Sequence, residues 1–153
     1  MKEIELTQGK VALVDDDDFE LLNQWKWYYH HGYAVRKCKE KMIFMHRIIL
    51  KTPVGFDTDH INCKKLDNRR SNLRMCTKSQ NQANKGIGAS NKSGYKGVMW
   101  YKQTKRWHSQ ITHKGKKYHL GFFKNISDAI EAYKKKSKEL FGDFSYKDAR
   151  DNP

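Results

Sequence analysis

Asp59 and His60 stand side by side at the end of a short alternating run, Asp57-Thr58-Asp59-His60. Asn72 opens a second short strand, Asn72-Leu73-Arg74-Met75-Cys76. Asn81 falls in the first turn of a helix whose start is signalled by the capping box Thr77-Lys78-Ser79-Gln80. The order is strand, loop, strand, helix, and it lets one carboxylate, one imidazole and two carboxamides converge. An imidazole titrates near neutral pH and takes a proton from water with useful efficiency. A carboxylate and a carboxamide oxygen suit a hard divalent cation that keeps several of its waters. Adjacent strand residues point to opposite faces, so Asp59 and His60 border one cleft only if the strand breaks at His60. Taken singly, the same residues read as a surface Asp-His pair and turn-forming asparagines.

The segment that must position this set is mixed and rich in aromatics. Val11-Ala12-Leu13-Val14 reads as a short strand, and Phe19 to Gln24 has helical spacing. Between them, Asp15-Asp16-Asp17-Asp18 suggests either a metal site or, as the favoured reading, acids stabilising a helix N-terminus. Residues 27–30 and 33–36 predict a hairpin turning at His31-Gly32, followed by a strand at 42–44. Trp25, Trp27, Tyr28, Tyr29 and Tyr33 fit sheet packing better than base stacking. His46-Arg47 leads a short apolar helix ending before Pro53; His46 is either a satisfied structural histidine or a contact to a nucleic-acid backbone.

Charge points to a polyanionic partner. The chain has 153 residues, a formal charge of +14 and only 37% hydrophobic residues, so its cores are small. Residues 1–50 carry 8 basic against 8 acidic side chains, residues 51–90 carry 8 against 3, and residues 91–153 carry 15 against 6. The excess therefore begins where the Asp-His pair lies and grows beyond it, which favours nucleic-acid binding over general solubility. Cys38, Cys63 and Cys76 form no Cys-x-x-Cys pair, so a structural zinc is not expected. The longest apolar runs are too short to cross a bilayer, and no secretory leader is legible at residues 1–5. The expectation is a cytoplasmic protein of a bacterium or phage-infected cell, with no membrane association and no obligate protein partner.

Three words agree in order and spacing: Asp59-His60-Ile61-Asn62, Leu66-Asp67-Asn68-Arg69-Arg70-Ser71-Asn72-Leu73-Arg74, and Ser79-Gln80-Asn81. Together they resemble the HNH nucleases, the ββα-metal fold common among homing endonucleases, in the variant whose last letter is asparagine. The resemblance implies phosphodiester hydrolysis with His60 as general base, and with Asp59 and Asn81 holding the metal. Asn72 would fix the loop carrying His60, with Asn68 as the second candidate for that brace. Arg69, Arg70 and Arg74 would contact phosphates, although one could equally pair with Asp67. A terminal asparagine in place of histidine favours Mg²⁺ (or Mn²⁺) over softer ions.

After Lys85 the pattern changes. Residues 85–93 are rich in glycine, serine and lysine and read as a flexible basic linker. Strands are expected at 95–101, 107–112 and 117–123. A helix capped by Asn125 then runs to Phe141, with Ala129, Ile130, Tyr133, Leu140 and Phe141 as its apolar stripe and Lys134, Lys135, Lys136 and Lys138 on a solvated face. Tyr95-Lys96-Gly97-Val98, Trp107, Leu120-Gly121-Phe122-Phe123, Ala129, Ala132-Tyr133 and Gly142 resemble the plant APETALA/ethylene-response-factor DNA-binding domain, which also occurs fused to HNH homing endonucleases. That resemblance places a sheet in the major groove, with Lys96, Met99, Tyr101, Lys102, Gln110, Thr112, Lys117 and His119 toward the DNA. Many of the plant arginines are replaced here, so guanine readout would be poorer.

The expected architecture is α+β: a lead-in and nuclease module over 1–84 (core 55–84), a linker over 85–93, a three-stranded antiparallel sheet on one helix over 94–145, and a tail over 146–153. The expected activity is homing-type cleavage of double-stranded DNA, one strand at a time for a monomer. A non-catalytic DNA-binding transcriptional regulator is the alternative, and an RNA-binding protein fits the charge but not the nuclease words. If ~6–10 phosphates are contacted, affinity for duplex DNA should fall ~10³–10⁵-fold between roughly 50 and 200 mM salt. Fluorescence anisotropy across a salt series measures that slope.

Overall fold

The computed structural model describes residues 1–146, so the tail expected over 146–153 lies, from residue 147 on, outside the described residues. The chain forms two compact units, Met1–Lys78 and Ser79–Pro153. Small antiparallel sheets and short helices make it a mixed α+β protein.

In the first unit, the alternation at Val11–Val14 builds strand β2, which pairs with β1, Lys2–Glu5, a strand the sequence pattern did not reveal. Helix α1, Asp16–Leu22, follows. It starts earlier than the apolar spacing suggested because the acids themselves form its first turn. Asp15 is the N-cap residue, yet its side chain makes no capping bond. Strands β3 (Tyr28–His30), β4 (Tyr33–Cys38) and β5 (Lys41–Phe44) form a second antiparallel sheet. The expected turn at His31-Gly32 joins the first two, with positive φ at both residues. Helix α2, Met45–Ile49, leads to β6 (Asp57–His60) and β7 (Leu73–Cys76), which pair antiparallel. Ile4, Val14, Leu22, Trp27, Met45 and Leu73 share one core. Trp27 is buried there and donates its indole N–H to the Leu22 carbonyl at 2.8 Å, so the aromatic run is packing in part.

Helix α3, Lys78–Asn84, starts one residue after Thr77. Most of it falls within the second compact unit. Strands β8 (Val98–Tyr101), β9 (Arg106–His113) and β10 (Lys116–Phe123) then form a three-stranded antiparallel sheet in the order β10-β9-β8. Helix α4, Ile126–Phe141, covers one face, burying Ala129 and Tyr133 against Val98 and Ile111, with Trp107 packed beside them. Asn125 precedes it without a side-chain capping bond, and its amide meets Asp128 instead.

Two glycines shape this sheet. Gly121, at φ +129, sits at a bulge that shifts the register between His119 and Gly121. The shift sends Phe122 to the face opposite α4, while Phe123 packs in the core. Gly97, at φ +70, explains why β8 begins only at Val98 and not at Tyr95 as the pattern predicted. A Cβ there would lie well inside 3.0 Å of the Tyr133 ring and the Gln110 carbonyl oxygen. Gly97→Ala should therefore cost about 2–4 kcal/mol, whereas Gly88→Ala, with open space around it, should stay within about 0.5 kcal/mol. Urea unfolding of the full chain, followed by tryptophan fluorescence, compares the two.

Candidate active site

The loop between β6 and β7 is pinned at both ends by β2 and α1. Leu13 donates its N–H to the Leu66 carbonyl at 2.9 Å and accepts the Asn68 N–H at 2.8 Å, a parallel bridge that carries Asp67 between them. Asp15 accepts the Arg70 backbone N–H at 2.7 Å, and Asp18, buried, receives both Nε and Nη2 of Arg70 at 2.8 and 2.6 Å. The acidic run is thus a docking site for the loop. Its composition alone did not reveal this, because the partner lies 52 residues away.

Inside the loop, Asn72 and Asn68 divide the work. Asn72 accepts the Asn62 N–H at 3.0 Å and donates to the Asp67 carbonyl at 2.8 Å, closing the loop across its neck. Asn68 reaches the imidazole itself: its Oδ1 lies 3.2 Å from Nε2 of His60. Its amide nitrogen donates to the Leu66 carbonyl at 3.3 Å, which leaves the oxygen facing the ring. Nε2 therefore carries the proton and Nδ1 is the basic nitrogen.

His60 ends β6 in a pocket of rings. Tyr33 from β4 and His46 from α2 lie with centroids 6.1 and 5.1 Å away. Burial pushes the pKa of His60 down; the Asn68 hydrogen bond and the Asp59 and Asp67 carboxylates pull it back up, and Lys65 lowers it. The ring is neutral at neutral pH, the state a general base needs. The sequence offered Tyr33 as sheet packing and His46 as a structural histidine or a backbone contact, and placed neither against His60. They lie far upstream in ordinary strand and helix contexts, and nothing in their spacing marks them.

Asp59 is also buried, and it faces Arg74 across the β6–β7 ladder, with Nε and Nη2 of the arginine 2.9 and 2.8 Å from Oδ2. Arg69 makes a two-pronged bond to Asp67, at 2.7 and 2.6 Å. All three arginines expected on phosphates are thus engaged by carboxylates within the unit: Arg69 by Asp67, Arg70 by Asp18 and Arg74 by Asp59. Among the described residues, no three His, Cys, Asp or Glu side chains form a closed metal cage. A hydrated magnesium needs only one or two protein oxygens, and the buried Asp59 carboxylate is a hard donor of that kind. Burial, reinforced by Asp59 and Asp57, pushes the Cys76 thiol in the paired strand up to about 11. Asn81 stands in α3, within the other compact unit.

On the C-terminal sheet, Met99, Tyr101, Gln110, Thr112, Lys117 and His119 share the face turned away from α4, as their pairing shows. Lys102 lies in the turn after β8. His108 and Phe122 join that face, with Tyr101 and Phe122 centroids 5.5 Å apart and His108 and His119 bonded through Nε2 and Nδ1 at 3.3 Å. Lys96 is used differently: its ammonium donates to the carbonyls of Ala83, at 2.6 Å, and of Gln82 and Lys85, closing the C-terminal end of α3.

The HNH endonuclease family matches residues 44–83, from Phe44 at the end of β5 through α3. An uncharacterized HNH endonuclease, L560, of Acanthamoeba polyphaga mimivirus is 30% identical over 144 residues, which cover 90% of this chain and 74% of that protein. Protein 3.8 of Escherichia phage T7 is 29% identical over 93 residues, 61% of this chain and 76% of that protein. No solved structure matches. The chain belongs to the HNH endonuclease family, and these two relatives are viral. No helix among the described residues is long and apolar enough to cross a membrane.

The ring pocket makes a stability prediction. Burial, with the neighbouring His60 and Arg47 charges, pushes His46 from 6.5 down to about 3. Between those values the unfolded chain binds a proton that the folded chain does not, so stability rises with pH across this window. It should therefore fall as pH drops below about 6.5, by up to about 1.4 kcal/mol per pH unit for one proton, until about pH 3. Urea unfolding at a series of pH values should show this slope, and His46→Phe should reduce it, leaving the part due to His60.

Proposed function

We propose that this chain is a metal-dependent DNA endonuclease of the homing type, which hydrolyses one phosphodiester bond per visit and is anchored to its site by the C-terminal sheet. The observation that carries the reading is the His60 imidazole, held neutral by burial and oriented through Nε2 by Asn68, in a loop that Asn72 closes. His60 would take the proton of the attacking water at Nδ1. Asp59, and Asn81 by the order of the motif, would supply oxygen ligands to Mg²⁺ or Mn²⁺. A bound dication would neutralise the phosphoryl oxygens and stabilise the leaving 3′ oxygen. Arg74 would then balance the charge of Asp59 rather than seat a phosphate.

The second unit supports an anchoring role. Its three antiparallel strands on one helix leave a face that carries Lys117, Gln110, Thr112 and exposed aromatics, which supports reading it as an APETALA/ethylene-response-factor-type sheet that would lie in the major groove. The reach of a strand ribbon fits that groove.

Full-length protein with Mg²⁺ should nick plasmid carrying its natural site, EDTA should stop it, and His60→Ala should abolish cutting while leaving the gel shift nearly unchanged. Binding without any cutting by the unsubstituted protein, in Mg²⁺ or Mn²⁺, would leave a DNA-binding regulator as the better reading.

A further inference from the structure

We propose that His46, backed by Tyr33, is a positioning residue for His60, setting the plane of the imidazole whose nitrogen Asn68 selects. The inference rests on His60 acting as the base. The terminal torsion of a histidine is broad and roughly two-fold, so neither its plane nor its flip is set by the backbone. The Asn68 oxygen settles the flip, because only one orientation presents Nε2 to it. The plane is set where other rings pack against it.

His46 supplies that packing. Its ring stands at 86° to the His60 ring, with centroids 5.1 Å apart, an edge-to-face contact. Tyr33 touches both, at 5.4 Å from His46 and 6.1 Å from His60, and Phe44 closes on His46 and Tyr33 at 5.4 and 5.7 Å. Lys65, from the loop itself, lies 4.4 Å over the Tyr33 ring and donates to the His31 carbonyl. The hairpin β3–β4 and helix α2 thus deliver two rings to the residue that ends β6. Arg47, beside His46, donates to the Phe56, Thr52 and Pro53 carbonyls, which ties α2 to the segment leading into β6. His46 is buried and neutral, so it presents a ring and no charge to the reacting base.

The test uses the full chain. His46→Ala should lower kcat about 10²-fold, the order expected when a reacting group is misplaced by an ångström, with KM and gel-shift affinity unchanged. His46→Phe, which keeps a ring of similar size in place, should recover most of that loss. Imidazole ¹⁵N spectra should show His60 as the single Nε2–H tautomer in the unsubstituted protein and in His46→Phe, and as a mixture in His46→Ala. A kcat for His46→Ala within about twofold of the unsubstituted protein overturns the inference. So does a kcat that falls only in step with DNA affinity and thermal stability while the His60 spectrum stays the same. His60→Ala separates the two readings. If it still cuts, the assignment of the base is wrong; if it is dead while His46→Ala is normal, only the positioning role fails.

Discussion

The backbone exchange between Leu13 and the residues around Asp67 is the constraint on which the site depends. One N–H and one carbonyl of β2 are spent on Leu66 and Asn68, so the core that buries Val14 and Leu22 also sets where the Asn68 side chain stands. Buried backbone groups must find partners, and here a loop supplies them in place of a neighbouring strand. The acids after β2 then hold Arg70 through its backbone and its guanidinium. A loop of this length would otherwise be the most mobile part of the unit. It is instead tied at 66 and 68 to β2 and at 70 to the acids that follow it.

This arrangement accounts for the N-terminal fifty residues, which carry no net charge. They are the scaffold against which the β6–β7 hairpin is assembled. β2 and α1 hold the loop from one side, and the β3–β4 hairpin and α2 bring Tyr33 and His46 to His60. A buried imidazole is costly to charge and useful when neutral. The structure maintains that state by surrounding His60 with rings while leaving Asn68 as a polar partner. Asp59, one residue earlier, lies in the opposite electrostatic situation, matched by a guanidinium across the ladder.

The second unit follows another logic. A bulge at Gly121 and a left-handed turn at Gly97 allow one side of a three-stranded sheet to pack on α4 while the other collects Tyr101, His108, His119 and Phe122. Tyr101, His119 and Phe122 stand exposed there around the buried His108. Lys96, by contrast, is absorbed in closing α3.

The residue order by itself determined the family words, the charge gradient and nearly every strand and helix, because these depend on local periodicity and turn chemistry. The hairpin at His31-Gly32, the short helix before Pro53 and the stripe on α4 were all legible in that way. Tertiary structure decided which charged and polar groups meet. The arginines expected on phosphates found Asp67, Asp18 and Asp59; the acid run, besides opening α1 as expected, docked a loop; Tyr33 and His46 came to lie against His60. Each of these depends on pairs separated by 14 to 55 residues except the Arg69–Asp67 bond. Local pattern cannot tell which of many cations will reach a buried carboxylate, since that choice is made by the core that brings the strands together.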